Sequence, residues 1–211
     1  MKSIKELFDK YDCDKSSKHN YHEVYEKLFL PLKDKFINML EIGVYKGSST
    51  MAHHDYFKNG TIHGLDLFHR TKIKEIIAST KDRIILTKGD STNPKIANKL
   101  SETQYDIIID DGAHYPKANR LSFENTKKLL APNGIYIIED VWPLEKMSVT
   151  EMNNSWVKKH PERYNMHENH LFLQSLENSR FEIERFDLRE KSGNPDSYII
   201  LLKNTYNKLY L

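Results

Sequence analysis

The sequence contains a single cysteine, Cys13, among 211 residues. One cysteine excludes an internal disulfide and a zinc site built from several cysteines, and it is typical of a reducing compartment. The chain also lacks any apolar run near the ~20 residues that span a bilayer, and its amino-terminal stretch has no hydrophobic signal segment. We therefore expect a cytoplasmic protein with no membrane span, or one domain of a larger protein.

A strong charge of one sign is missing as well, because 32 Lys and Arg residues face 30 Asp and Glu residues. This near balance argues against nucleic acid or an anionic membrane as a partner. Eight glycines and seven prolines are too few for a fibrous or low-complexity protein. With 38% hydrophobic and 29% charged residues, the composition is that of one globular domain.

What the chain does contain is an alternation of short apolar runs with longer amphipathic stretches. The predicted strands are Ile37–Ile42, Thr61–Asp66, Arg83–Thr87, Tyr105–Asp110, Gly134–Glu139, Phe181–Leu188 and Ser197–Lys203. The predicted helices are Tyr21–Leu32, Ser48–Phe57, Thr71–Ser79, Pro94–Leu100, Pro116–Leu130 and Asn169–Ser179. Near-continuous apolar strands separated by helices indicate a parallel sheet covered on both faces.

The last two strands are separated by KSGNPD, a sequence typical of turns, and are expected to pair as an antiparallel hairpin. The predicted fold is therefore α/β and doubly wound, with a mostly parallel seven-stranded sheet and a C-terminal antiparallel β-hairpin. In such sheets, ligands bind beyond the carboxyl ends of the strands, so the residues at those ends are the candidate site.

The first strand end is LEIGVYKGSST, in which Glu41 precedes two glycines. Gly43 permits a tight turn, and Gly47 lets the next helix begin close to a ligand. The segment lacks both the GxGxxG pattern and the lysine of a P-loop. An acid before the turn disfavours phosphate and suits an ammonium or sulfonium ligand. The alternative is an ordinary strand–turn–helix connection with a solvated Glu41.

The next two strand ends favour a nucleoside-containing cofactor. Asp66 ends the second strand, where a carboxylate accepts hydrogen bonds from ribose hydroxyls of NAD or of an adenosyl cofactor. Gly89, Asp90 and Ser91 follow the third strand and are placed to face an adenine edge. Acids are common at strand ends, so the prediction depends on their occurrence at successive ends.

The fourth and fifth strand ends carry the most carboxylates. YDIIIDDGAHYP provides Asp110, Asp111 and His114, and IYIIEDVWP provides Glu139 and Asp140. Like charges on neighbouring strands cost several kcal/mol unless a cation lies among them, and Mg²⁺ prefers such oxygen ligands. A bound cation would lower the pKa of a substrate hydroxyl, and His114 would accept its proton. In the alternative interpretation, the acids only cap the following helices.

These segments resemble a known family. EIGVYKGSS resembles the cofactor loop of class I S-adenosylmethionine-dependent methyltransferases, which have a Rossmann-like fold, with Tyr45 at the place of a middle glycine. DDGAH followed by ED resembles the metal-dependent sugar O-methyltransferases of macrolide antibiotics, with Ala113 where serine is usual. DKSSKHNYHEVYE is similar to a segment upstream of the fold in relatives that modify glycans. The chain is much shorter than the macrolide enzymes.

The resemblance implies a role for each matching position. Asp111, Glu139 and Asp140 are expected to bind Mg²⁺ or Mn²⁺, and His114 to be the general base, so that His114 and Asp111 are the catalytic pair. A lid over the cofactor is expected from Tyr11, Lys15, His19 and Tyr21, with Lys15 or Tyr21 reaching its carboxylate, although a frayed, solvated segment is the alternative. The other expected cofactor contacts are Glu41, Gly43, Val44, Tyr45, Gly47, Ser48, Asp66, Leu67, Gly89, Asp90, Ser91 and Asp110.

The resemblance further implies that S-adenosylmethionine donates its methyl group to a sugar hydroxyl and leaves as S-adenosylhomocysteine. A deoxyhexose such as rhamnose, in a glycan or glycosylated metabolite, is the expected acceptor. The expected organisation is a single methyltransferase domain: a helical lid segment (1–35), a cofactor-binding core (36–142), an insertion over the acceptor (143–170), and a final helix with the hairpin (171–211). A phenolic acceptor, a dinucleotide oxidoreductase and a non-catalytic nucleotide-binding protein are the alternatives. The sequence leaves the oligomeric state open.

Overall fold

The computed structural model describes residues 2–68, 83–100, 103–153 and 155–205. Its strands are β1 (Asn38–Ile42), β2 (Thr61–Asp66), β3 (Ile84–Lys88), β4 (Tyr105–Asp110), β5 (Leu130–Ile138), β6 (Glu182–Asp187) and β7 (Tyr198–Lys203). Its α-helices are α1 (Ile4–Lys10), α2 (Asp14–Ser17), α3 (His22–Phe29), α4 (Ser48–Tyr56), α5 (Ile96–Leu100), α6 (Pro116–Thr126), α7 (Val149–Met152), α8 (Ser155–Lys159), α9 (Met166–Glu177) and α10 (Arg189–Ser192). Single 3₁₀ turns occupy Leu30–Leu32, Lys127–Leu129 and Leu144–Lys146.

The strands form one seven-stranded sheet in the order β3-β2-β1-β4-β5-β7-β6. The first five strands pair in parallel, and β7 pairs antiparallel with both β5 and β6. This confirms the predicted α/β fold with its C-terminal antiparallel hairpin. The strand order reverses between β1 and β4, and a crevice at that point is the usual ligand site of a doubly wound sheet.

The inner strands of the sheet are buried on both faces, as their apolar runs predict, whereas the edge strands β3 and β6 are partly exposed. Along β4, Ile107 and Ile109 face one hydrophobic cluster and Ile108 faces the other, because successive side chains of a strand point to opposite faces. The first cluster includes Phe8 and Tyr25 of the amino-terminal helices, both fully buried. The amino-terminal segment is therefore packed into the core, which excludes the frayed alternative.

Several element boundaries differ from the sequence prediction. The helix predicted at Pro116–Leu130 ends at Thr126, because the main chain of Leu130 already pairs with Tyr105 in the sheet. The helix predicted from Asn169 begins three residues earlier, at Met166, because the side chain of Asn165 accepts the Glu168 N–H and caps its first turn.

Three further predictions concern a turn, a helix and membrane-spanning segments. The KSGNPD segment begins within the short helix α10, which is followed by Gly193 in a left-handed conformation. The predicted helix Thr71–Ser79 lies outside the described residues. Within the described part of the chain, no helix is long and apolar enough to cross a membrane.

Candidate active site

The loop after β1 lies against the loop after β4 at the crevice. Gly43 has a φ of +90°, and a Cβ atom there would lie 2.0 Å from the main-chain oxygen of Asp111. The Asp111 N–H donates to the Ile42 carbonyl oxygen at 2.9 Å. Gly47 is the N-cap residue of α4 and has a φ of +82°. A Cβ atom at this position would have no neighbour within 4 Å. Gly43 is thus required by both conformation and contact, and Gly47 by conformation alone.

The carboxylate of Asp66 fastens this glycine loop to the end of β2. Its Oδ2 atom accepts the main-chain N–H groups of Val44 (2.8 Å) and Tyr45 (3.0 Å). Its Oδ1 atom accepts the N–H of Phe68 at 2.7 Å. In this structure Asp66 therefore orients the loop, while it also lines the cavity in which the sequence predicts a ribose.

Two cavities flank the glycine loop. The first cavity, of about 360 Å³, is lined by Gly43, Asp66, Leu67, Gly89, Asp90 and Ser91 together with other residues. The second cavity, of about 350 Å³, lies on the other side of the loop and is lined in part by Lys15, Gly43, Val44, Tyr45, Ser48 and Asp111. Most of the predicted cofactor contacts thus line one continuous surface around Gly43.

The acid cavity, of about 360 Å³, adjoins both and is lined in part by Lys15, Tyr21, Asp111, His114, Glu139 and Asp140. His114 lies between two carboxylates, with Nε2 3.1 Å from Asp111 Oδ1 and Nδ1 3.3 Å from Asp140 Oδ2. One ligand atom from each of these three residues lies within 4.8 Å of the others. The parallel pairing of β4 with β5 brings the two loops to the same edge of the sheet.

Glu139 is held differently from the other acids of this cavity. Its carboxylate is fully buried, and Oε2 accepts a hydrogen bond from the Lys15 ammonium group. Lys15 also donates to Asp111 Oδ2 at 2.7 Å. The second oxygen of Glu139, Oε1, is buried without a hydrogen-bond partner. The predicted cofactor residue Lys15 therefore neutralises two of the three predicted metal ligands.

The segment that follows Lys15 fixes the remaining carboxylate. The hydroxyl group of Tyr21 donates to Asp140 Oδ1 at 2.7 Å and accepts the Asp140 N–H at 3.2 Å. The His19 ring stacks on Tyr21 with centroids 5.0 Å apart, and its Nδ1 atom lies 2.8 Å from Ser197 Oγ. Tyr21 thus lies in the acid cavity and orients Asp140, whereas the sequence predicted a cofactor contact.

Burial and charge shift the pKa values of this cluster in opposite directions. Burial raises the pKa of Glu139 to about 7 and raises that of Asp140. The pKa of Asp111 falls despite burial, because Lys15 and His114 lie beside its carboxylate. Burial alone would lower the pKa of His114, but the adjacent carboxylates of Asp111 and Asp140 outweigh it and raise the pKa to about 10.

Three residues of the acid cavity have a left-handed backbone conformation. Tyr45, His114 and Asp140 have φ values of +50°, +58° and +50°. The Cβ atom makes this left-handed region costly, about 1–3 kcal/mol for each residue, and such strain persists only where the surrounding structure enforces it. All three residues line the acid cavity, so the enforced conformations aim functional side chains at one volume.

The donor set of the acid cavity fits a hard divalent cation. Asp111, Asp140 and Glu139 supply carboxylate oxygens, and the unpartnered Glu139 Oε1 is available to such an ion. The tight three-residue group contains Asp111, His114 and Asp140, while Glu139 lies outside it and is paired with Lys15. Glu139 keeps its predicted place beside the cluster, and its role as a ligand stays a prediction.

Three predicted cofactor residues do not line any of these cavities. Glu41 is fully buried and accepts a hydrogen bond from the Thr50 hydroxyl group. Asp110 is 2% exposed, accepts the Gly112 N–H at 3.3 Å, and has its pKa raised to about 7 by burial. Gly47 contributes backbone conformation only. Glu41 and Asp110 therefore support the loops from beneath.

Sequence reasoning missed three residues that the structure brings to the site, and it expected a fourth, His19, in a lid over the cofactor. Thr92 and Tyr115 line the first cavity, and Asp196 lines the acid cavity. His19 is 1% exposed, and its Nδ1 atom contacts the Oγ atom of Ser197, 178 residues further along the chain. Two of the missed residues had a sequence signal, since Tyr115 directly follows His114 in the loop after β4 and Thr92 directly follows Ser91.

A larger cavity, of about 710 Å³, lies between the β6–β7 connection and α7. None of the predicted site residues lines it. Its main cation, Arg189, is already paired with Glu151 at 3.0 Å and with Asp187 at 2.8 Å. The chemistry-bearing residues are instead gathered at the strand ends.

Comparison with known proteins agrees with this placement. Residues 40–141 match a family model described as "Methyltransferase domain", a span that runs from β1 through the ED pair after β5. The match covers just under half of the chain, and the resemblance to a methyltransferase domain is confirmed.

Individual relatives point to a narrower group. The chain is 28% identical over 147 residues to an 8-demethyl-8-alpha-L-rhamnosyl tetracenomycin-C 2'-O-methyltransferase of Streptomyces olivaceus, covering 64% of this chain and 37% of that protein. It is 30% identical over 149 residues to demethylmacrocin O-methyltransferase of Streptomyces fradiae, covering 66% of this chain and 36% of that protein. The chain thus spans little more than a third of the length of these relatives.

A solved structure shares the fold. The MycE methyltransferase of the mycinamycin biosynthetic pathway, in complex with Mg and SAH, aligns with a TM-score of 0.70 at 21% identity, over 100% of this chain and 57% of that one. At this identity the likeness establishes the fold.

Proposed function

We propose that this protein is an S-adenosylmethionine-dependent, divalent-cation-dependent O-methyltransferase that acts on a sugar hydroxyl. The observation that carries the proposal is the convergence of Asp111, His114, Glu139 and Asp140 beside the glycine-loop cavities. Relatives whose names specify rhamnosyl and macrolide acceptors support the sugar. The presence of SAH and Mg in the MycE structure supports both cofactors.

The cofactor would occupy the continuous surface around Gly43. The first cavity offers the Asp66 and Asp90 carboxylates for hydroxyl and amine donors of a nucleoside. The second cavity offers the Lys15 ammonium group beside Tyr45 and Ser48, as a partner for a carboxylate. The near approach of the Gly43 and Asp111 backbones places both cavities next to the acid cluster. A methyl donor bound there would therefore face an acceptor in the acid cavity.

Asp111, Asp140 and Glu139 would hold the cation. When bound, Mg²⁺ or Mn²⁺ stabilises an alkoxide and thereby acidifies an acceptor hydroxyl. Without a cation, Asp111 and Asp140 raise the pKa of His114 and keep its imidazole protonated. The positive charge of a bound cation would offset these carboxylates and lower that pKa, so that neutral His114, 31% exposed on the cavity surface, would accept the hydroxyl proton. Asp111 and Asp140 orient the ring, and Tyr21 in turn orients Asp140. Most of the rate enhancement would come from positioning the acceptor against the donor.

We also propose a division of labour along the chain. Residues 1–35 supply Lys15 and Tyr21 to the acid cavity, while residues 36–142 form the cofactor site. Residues 143–170 would cover the acceptor, because Arg163 lies over the ring of Tyr115, 5.6 Å from its centroid, and Tyr115 directly follows His114 of the acid cavity. Residues 171–211 complete the sheet.

The test is methyl transfer from radiolabelled S-adenosylmethionine to a rhamnoside, with a catechol as the competing acceptor. We expect methylation of the rhamnoside that requires Mg²⁺ or Mn²⁺ and stops with EDTA. His114→Ala should lower turnover by about 10²–10⁴-fold, as for loss of a general base, while S-adenosylhomocysteine binding is retained. The matched control is His54→Asn, since His54 lies outside the three cavities.

Two results would contradict the proposal. Methylation of the catechol alone would show that the acceptor class is wrong. Failure of the wild-type protein to bind S-adenosylhomocysteine would remove the methyltransferase assignment itself.

A further inference from the structure

Lys15 occupies an unusual position for a basic residue. It lies on α2 with only 3% of its surface exposed, and its ammonium group donates to both Asp111 and Glu139. These are two of the three residues proposed above to hold a divalent cation. A lysine and a cation of charge +2 would compete for the same carboxylate oxygens and would repel each other at that distance.

The acid cluster also needs a positive charge when no divalent cation is bound. Glu139 is 1% exposed and Asp111 is less than a quarter exposed, and a buried carboxylate without a partner is strongly destabilising. Lys15 satisfies this requirement within the protein itself. Among the described residues that line the acid cavity, the other lysine, Lys18, is exposed and forms no ion pair with these carboxylates.

The side chain of Lys15 also borders the second cavity, which could accept its ammonium group. It lines the second cavity together with Gly43, Tyr45 and Ser48, as well as the acid cavity, so it forms part of the wall between them. The carbonyl oxygen of Lys15 accepts the Tyr21 N–H at 2.8 Å, which anchors the main chain. Because the main chain is held, a move of the ammonium group from the carboxylates toward the second cavity would have to be a change of side-chain rotamer.

We infer that Lys15 is the resident counter-cation of the acid cluster and couples divalent-cation binding to cofactor binding. This rests on the proposed function. Entry of a divalent cation displaces the ammonium group from Asp111 and Glu139 into the second cavity, where it pairs with the carboxylate of the cofactor. One ammonium group cannot pair with the acid cluster and with the cofactor carboxylate at the same time. Binding of the cation therefore strengthens binding of the cofactor, and by linkage binding of the cofactor strengthens binding of the cation.

The first test measures S-adenosylhomocysteine binding by calorimetry with and without Mn²⁺, and Mn²⁺ binding by electron paramagnetic resonance. In the wild type we expect Mn²⁺ to strengthen S-adenosylhomocysteine binding by about 5–150-fold, the usual size of such a coupling. Lys15→Met keeps the aliphatic stem but removes the charge. It should bind Mn²⁺ at least about tenfold more tightly and lose the coupling. Lys18→Gln, which removes a neighbouring charge, should retain it.

A second measurement uses the wild type and does not depend on the folding of a variant. Acetic anhydride labelling followed by mass spectrometry reports how accessible each lysine amine is. Lys15 should be protected in the cation-free protein, react faster with Mn²⁺ alone, and be protected again with Mn²⁺ and S-adenosylhomocysteine together. Lys18 provides the internal comparison, with a rate that stays constant.

Each contrary result has a distinct meaning. If the wild type binds neither ligand, the proposed function fails. If it binds both ligands independently, or if Lys15→Met keeps the coupling, the proposed function stands and the role of Lys15 is refuted. Binding of Mn²⁺ to Lys15→Met but not to the wild type would make Lys15 a permanent replacement for the cation, and displacement would be wrong. Unchanged labelling of Lys15 on addition of Mn²⁺ would also refute it.

Discussion

Gly43 and Gly193 offer a matched pair that separates backbone conformation from close contact. Both have left-handed backbones, with φ of +90° and +74°. A Cβ at Gly193 meets nothing within 4 Å, whereas one at Gly43 would lie 2.0 Å from the main-chain oxygen of Asp111. The two alanine variants therefore share one energetic cost and differ in the other.

The magnitudes follow from these geometries. Gly193→Ala should lower the free energy of unfolding by about 1–2 kcal/mol, the cost of a left-handed conformation for an L-residue. Gly43→Ala adds the cost of moving two packed backbones apart, about 1–3 kcal/mol, giving a total near 2–5 kcal/mol. Because the displaced segment carries Asp111, Gly43→Ala should also weaken S-adenosylhomocysteine and Mn²⁺ binding. Gly193→Ala should leave both affinities unchanged.

Urea denaturation followed by circular dichroism measures the two losses, and calorimetry measures the affinities. Equal destabilisation by the two substitutions would show that contact with Asp111 contributes nothing, and the reasoning would be refuted. Unchanged ligand binding in a well-folded Gly43→Ala protein would equally contradict the placement of the cavities around this loop.

Two further predictions concern hydrogen-bonded side chains. Tyr21→Phe keeps the ring but removes the hydroxyl group that donates to Asp140, so the free energy of unfolding should fall by about 1–3 kcal/mol. Mn²⁺ titration of this variant should show weaker binding. Unchanged Mn²⁺ affinity would contradict the orienting role of Tyr21. His63 lies 2.7 Å from both Thr87 Oγ1 and the Tyr105 hydroxyl, and burial lowers its pKa below the ordinary value of about 6.5. Below that value the unfolded chain binds more protons, so the stability contributed by neutral His63 is present above pH ~6.5 and is lost as the pH falls toward the folded-state pKa. Urea denaturation at pH 7.5 and 5.5 should show a smaller loss in His63→Asn than in the wild type, and equal losses would count against this.

The fold was largely predictable because its signals are local. Uninterrupted apolar runs such as Ile107, Ile108 and Ile109, alternating with amphipathic helices, are typical of a parallel sheet buried on both faces, and the structure places this run there. Boundaries were less predictable. The helix after His114 gives way to β5 at Leu130, and that switch depends on pairing with Tyr105 across the sheet. The cap at Asn165 was present in the sequence and missed.

The candidate site, like the fold, has features that the sequence predicted and features that only the tertiary structure shows. The sequence alone determined that Gly43 makes a turn, and that Asp111, His114, Glu139 and Asp140 follow neighbouring strands, because parallel strand ends share one edge. It also indicated which segments carry cofactor-binding chemistry.

Only the tertiary structure decided the partners of Lys15 and Tyr21. Lys15 bonds to Asp111 and Glu139, which lie 96 and 124 residues along the chain, and Tyr21 bonds to Asp140 across 119 residues. Such pairs have no local pattern, because packing of α1 and α3 against the sheet sets where the segment between them lies. The same packing buried Glu41 beneath the loop, away from the cleft. Local sequence determined the strand-end chemistry, and the long-range burial of the amino-terminal helices decided which charges neutralise it.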